Sequence, residues 1–120
     1  ESSFSLTNIE KFFIPKNLLT IESYAFSFCK KLHIIYGLEN SDIQKIGDFA
    51  FSNTNLNSLI IPSTVSELGH NAFNFCFSIS IIEFSENNLL KSVNKSQFQS
   101  CGNLIVMIPV SMVHLINEQI

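Results

Sequence analysis

The chain of 120 residues contains no arginine at all, and its seven lysines are scattered. Gripping a phosphate backbone requires clustered cations that displace condensed counterions, so nucleic-acid binding is disfavoured, and so is a polybasic membrane anchor. Charged residues of either sign make up only 14% of the chain, for a formal net charge of −3. Long apolar runs are missing too. The most apolar stretch, Leu104 to Ile116, is interrupted by Pro109, Ser111 and His114 and is too short to cross a bilayer as a helix, so no membrane insertion by this segment is expected. Neither G-x-S-x-G nor H-E-x-x-H occurs, and the three cysteines include no C-x-x-C pair. No initiator Met precedes Glu1 and no basic-then-apolar leader follows it, so the chain reads as an excerpt of a longer array.

What the chain does have is repetition. Ile14-Pro15, Ile61-Pro62 and Ile108-Pro109 are each 47 residues apart, while Ala25-Phe26, Ala50-Phe51, Ala72-Phe73 and Gln97-Phe98 are spaced by 25, 22 and 25. Apolar residues in L-x-x-L-x-L form open each unit, as in Ile9-x-x-Phe12-x-Ile14, Leu56-x-x-Leu59-x-Ile61 and Ile79-x-x-Ile82-x-Phe84; in Leu32-x-x-Ile35-x-Gly37 the last apolar residue is lost. Repeats therefore run approximately 9–31, 32–55, 56–78 and 79–103, with a partial copy at 104–120 and a weak trace of an earlier one before residue 9.

The opening cluster predicts a short strand, because alternate side chains point inward. Proline after it suits a strand end, since it lacks an N–H and fixes φ. A second apolar pair follows (Leu18 and Ile21, Ile43 and Ile46, Val65 and Leu68, Leu90 and Val93) and predicts a second extended segment. The Ala-Phe pair with its three-residue spacing predicts a tight 3-10 or short helical turn. Gly47 and Gly69 precede that turn, where a permissive backbone is expected to ease the change of direction. One such coil cannot bury its own apolar residues, so coils must stack, with Phe26, Phe51, Phe73 and Phe98 forming a ladder.

The unit L-x-x-L-x-I-P-x-x-V-x-x-L-G-x-x-A-F-x-x-C resembles the BspA-like, or Treponema pallidum type, leucine-rich repeat, over roughly Ile9 to Pro109. Thr54 for Cys, Gln97 for Ala and the missing glycine at Ser92-Val93-Asn94 depart from the pattern. The fold class expected is a leucine-rich-repeat solenoid. It is mainly β, with short parallel strands stacked in ladders, tight 3-10 or short helical turns and about four to five repeats of 22–25 residues in a single domain over 1–120.

Cys29, Cys76 and Cys101 share one slot of the repeat. With coils about 4.8 Å apart, Cys29 and Cys76 fall about 10 Å apart, beyond disulfide reach, whereas Cys76 and Cys101 could just approach. Burial as small hydrophobes is the expected state. His33, His70 and His114 lie at different phases of the repeat with no second ligand beside them, so no metal, cofactor or catalytic role is expected. Asn94-Lys95-Ser96 is a glycosylation sequon of the kind that an Asn- and Ser-rich chain also produces by chance.

The column of interest lies on the outward side of the first strands. It holds Phe13, Tyr36, Ile60, Glu83 and Met107, with Lys11, Ile34, Ser58, Ile81 and Ile105 one outward position earlier. A solvent-facing sheet is usually polar, so this stripe reads as a partner-binding face with aromatic anchors, as the filling of a deeper core or second layer, or as a mere reflection of a Phe- and Ile-rich composition. In leucine-rich repeats this side is the concave face. The resemblance implies a non-enzymatic protein-binding domain of a cell-surface or secreted protein, an adhesin or surface antigen contacting host cell-surface or matrix proteins. An intracellular scaffold or regulatory module is the alternative, and free thiols would suit its reducing compartment. Repeats that present a catalytic domain elsewhere in a longer chain are a third.

Overall fold

The computed structural model describes residues 4–86 and 89–115. Each copy contributes a first strand from its apolar cluster, and the first three add a two-residue strand after the corner. In chain order these are β1 (Lys11–Phe13), β2 (Thr20–Ile21), β3 (Ile34–Tyr36), β4 (Lys45–Ile46), β5 (Ser58–Ile61), β6 (Glu67–Leu68), β7 (Ile81–Phe84) and β8 (Ile105–Met107). All pairing is parallel, because every coil travels the same way round: β1 with β3, β2 with β4 and β6 in order, and β5 with β7 and β8 in order. The fourth copy's second segment shrinks to a single bridging residue, Val93.

The core is a column of matching side chains. Phe26, Phe51, Phe73 and Phe98 stack face to face with centroids 5.4, 5.6 and 5.9 Å apart, their planes within 6° of parallel. Phe4 extends the stack by another 5.3 Å below Phe26, and the backbone bonds Phe4 N–H to Ala25 O and Leu6 N–H to Ser27 O dock its turn onto the first copy. The trace before residue 9 is thus a further coil. Stacked rings gain more than area burial alone, by about 0.5–1.5 kcal/mol per pair.

The tight turn expected at the Ala-Phe pair is present, while the glycines before it serve a different purpose from the one expected. The Ala-Phe turn is a run of i-to-i+3 bonds, such as Ala25 N–H to Glu22 O and Ser27 N–H to Tyr24 O, and becomes a 3-10 helix only at Lys95–Gln97. Left-handed backbone appears on both sides of that turn, but non-glycine residues hold it: Tyr24 and Phe28 in the first copy, Phe49 and Asn53 in the second, Asn71 and Phe75 in the third. Gly47 and Gly69, by contrast, do not have positive φ. They are glycine because coils touch there. A Cβ on Gly47 would lie 2.5 Å from the Ser23 nitrogen, and one on Gly69 would collide with the Asp48 backbone. That close approach lets Gly47 N–H reach Ile21 O and Gly69 N–H reach Ile46 O, both at 2.8 Å.

Asn94 occupies the next place in this glycine column, and the stack responds. Asn94 N–H donates to Gln97 Oε1 at 3.1 Å, and Gln97 Nε2 donates to Leu68 O at 2.9 Å. A buried side-chain amide is therefore interposed where the earlier copies join backbone to backbone. Gln97 for Ala and Asn94 for Gly are one linked departure.

Candidate functional site

Strand alternation puts the ten stripe residues on one side. Ile14, Leu59, Ile61, Ile82 and Phe84 point into the core, and the residues between them point out. Register then aligns them in rows: Phe13 beside Tyr36; Ile60, Glu83 and Met107 side by side; Lys11 beside Ile34; Ser58, Ile81 and Ile105 side by side. Phe13 is 69% exposed, Met107 47% and Tyr36 39%, so these residues fill no deeper core. Glu83 is exposed and Ile60 half-buried. Phe13 and Tyr36 stack on each other at 4.6 Å, which holds both rings in place as a flat aromatic platform.

The stripe is not continuous. β3 and β5 belong to different sheets, so the ladder of first strands is split between the second and third copies. Gly37 occupies the slot that Ile14, Ile61 and Phe84 hold elsewhere. It sits at φ +84°, a left-handed conformation that ends β3 at Tyr36, and the buried Leu38 takes the inward place one residue late. Ser41 Oγ then donates to Leu38 O and accepts from Ile43 N–H, fixing the displaced corner. The two copies stay joined at the strand entrance, where Asn55 N–H meets Leu32 O at 2.9 Å. Past that point they leave a cleft of about 410 Å³ lined by Ile35, Tyr36, Glu39, Ser58, Ile60 and Glu83 among others. Nothing in the repeat pattern announced this cleft except the missing apolar residue at Gly37.

Elsewhere the sequence reading missed a second group of exposed rings. Phe75 and Phe77 meet edge to face at 5.8 Å near the turns, and Tyr24 stacks on Phe49 at 5.0 Å. Their signal was available as Phe at positions outside the inward pattern.

Among the described residues the titratable groups do not converge. His70 backbone N–H binds Asp48 Oδ1 at 2.9 Å, with its ring 3.4 Å from Ser96 Oγ, whereas the His33 ring lies against Lys31 O at 3.1 Å. The side chain of His114 lies outside the described residues. Among the described residues, no group of three or more His, Cys, Asp or Glu is placed to hold a metal. All three cysteines are buried free thiols, each donating to the carbonyl of the Phe one coil earlier: Cys29 to Phe4 at 2.8 Å, Cys76 to Phe51 at 3.0 Å, Cys101 to Phe73 at 2.9 Å. Thr54 fills the same slot in the second copy and reaches Cys76 Sγ at 3.4 Å. Burial pushes the Cys76 thiol up to about 11, against the hydrogen bonds from Thr54, and raises Cys101 as well. Inert thiols inside a core stay reduced through inaccessibility, so they do not report the compartment. The sequon residue Asn94 is half-buried, and its Oδ1 caps the 3-10 turn by accepting from Ser96 N–H at 3.1 Å.

A family model for the BspA-type leucine-rich repeat region matches residues 1–120 with six copies. The chain belongs to this family. Among solved structures it is similar to the pneumococcal vaccine antigen PcpA, with 31% identity, a TM-score of 0.70 and coverage of 77% of this chain but 22% of that one. A leucine-rich cell surface protein from Faecalibacterium prausnitzii A2-165 shares the fold at 23% identity and TM-score 0.63, over 84% of this chain and 36% of that one. The chain thus spans about a fifth to a third of these relatives' lengths. No curated protein matches it by sequence. What these two structures have in common with it is a stacked-coil scaffold.

Proposed function

We propose that this BspA-type domain is a non-enzymatic protein-binding module of a surface protein, an adhesin or antigen that contacts host cell-surface or matrix proteins through the outer side of its first strands. The observation that carries the reading is the outward face of two neighbouring sheets, with Phe13 aligned with Tyr36 on one and Ile60 with Glu83 and Met107 on the other, all exposed except the half-buried Ile60. Large aromatic and aliphatic side chains held in fixed rotamers lose little entropy on binding and supply most of the energy at protein interfaces. The cell-surface address is supported by the likeness to a vaccine antigen, and the non-enzymatic reading by polar groups that are spread along the solenoid.

The test uses immobilised matrix proteins and cultured host cells. Replacing Phe13, Tyr36 and Ile60 together by Ser is expected to abolish binding while circular dichroism stays unchanged. Phe77→Ser, on the turn side, is expected to leave binding intact. Equal binding by the triple variant and the parent would sink the proposal.

A further inference from the structure

The cleft between β3 and β5 has a composition of its own. Its lining includes the outward-facing Ile60 and Ile81, with the backbone of Ile35 and Leu59 behind them, and its charged lining is Glu39 and Glu83. No lysine lines it. Among the described residues, neither carboxylate has an ion-pair partner, the one salt bridge being Lys45 with Glu67. Tyr36 lies between Phe13 on its β1 side and the cleft on the other, so the ring is held by stacking while it still lines the opening. The Asn55–Leu32 hydrogen bond joins the two copies just before these strands and so bounds the cleft at that end.

From this geometry we infer that the cleft is the specificity pocket of the strand face, and that it takes an arginine side chain presented by the protein partner. The proposal rests on the protein-binding reading above and names the chemistry of the contact. The aliphatic stem of the arginine lies along Ile60 and Ile81. Its guanidinium meets the carboxylates of Glu39 and Glu83 and the face of Tyr36, two partners that suit its planar, weakly hydrated cation better than the compact ammonium of lysine. Two exposed carboxylates without an ion-pair partner also disfavour an acidic occupant.

A probe without any macromolecule isolates the pocket. The isotope-labelled 120-residue chain is titrated with N-acetyl-arginine methylamide and, separately, with its neutral isostere N-acetyl-citrulline methylamide, while amide resonances are followed. Arginine is expected to bind in the millimolar range and to move the amides of Tyr36, Ile60, Ile81 and Glu83. Citrulline is expected to bind about tenfold more weakly. The Glu39→Gln, Glu83→Gln double variant, with an otherwise unchanged spectrum, is expected to treat the two probes alike. Shifts that do not cluster at the cleft, equal affinity for both probes, or a preference that survives in the double variant each overturn the pocket. Such failure leaves the strand face to be judged by the Phe13, Tyr36 and Ile60 substitutions, which read a partner and need no arginine.

Discussion

Two seams interrupt the stack, and they differ in how the lost contact is replaced. At the joint of the third and fourth copies, Asn94 replaces glycine, and a hollow of about 360 Å³ opens beside β6, lined by Lys45, Asp48, Glu67, Lys91, Asn94 and Gln97 among others. That hollow carries charges of both signs: the Lys45–Glu67 pair at 3.8 Å joins the second and third copies beside it, and the Gln97 amide spans the third and fourth. At the joint of the second and third copies, Gly37 replaces an apolar residue, and the cleft of about 410 Å³ that follows has only Glu39 and Glu83 as charged lining. Similar volumes thus have opposite chemistry. One seam is bridged by a side-chain amide; at the other, neither carboxylate has an ion-pair partner among the described residues. A repeat protein can absorb a lost position either by filling the gap with another side chain or by keeping the gap, and only the second leaves groups available to something else.

The largest expected effect tests what holds both seams together. The phenylalanine column runs through each joint, so Phe51→Ala and Phe73→Ala should each cost about 3–5 kcal/mol in urea unfolding. A loss under about 1 kcal/mol would show that the stack is not the common support.

Next comes a test of dryness at the turn that joins the second and third copies. Cys76 has its thiol pushed up from 9.0 to about 11 in the fold, mainly by desolvation. A raised folded value means the native state holds the proton longer, so this contribution is complete below pH 9 and is lost as pH climbs through 11. Comparison of the parent with Cys76→Ala should show a difference in stability that shrinks by roughly 2–3 kcal/mol across that window. A pH-independent difference would mean water reaches the sulfur.

The closed seam is probed by Gln97→Ala. Restoring the repeat's own residue should destabilise by about 1–3 kcal/mol, because the Leu68 carbonyl and Asn94 N–H lose their partner. Adding Asn94→Gly should recover most of that loss, since direct backbone pairing becomes possible; additive effects in a double-mutant cycle would refute the linkage. Smallest of all are the charges. Glu83→Gln should stay within about 0.5 kcal/mol, and Lys45→Gln, at an exposed pair, should cost at most about 1 kcal/mol by thermal melts.

Much of the architecture was legible because identical positions in successive copies must meet. The inward placement of Ile61, Phe73 and Cys76 follows from that rule alone, as does the outward row at Phe13 and Met107. Phe4 was overlooked because a single ring without its Ala neighbour carries no periodic signal. The role of Gly47 was misjudged: a glycine's cause can be its torsion or its neighbour, and only the Ser23 backbone 2.5 Å away decides which. The cleft was invisible because losing one apolar residue at Gly37 does not say whether a coil closes over the loss or parts from its neighbour.

The phenylalanine stack also has a mechanical consequence. Ring partners are 22 to 25 residues apart in sequence, and each coil rests only on the next. Pulled from its ends, such a chain should give way one coil at a time. Each rupture would free about 23 residues and lengthen the tether by about 80 Å, so a force trace should read as evenly spaced teeth. The domain would then act as a ratcheted spring, shedding load in fixed increments while the remaining coils keep their shape.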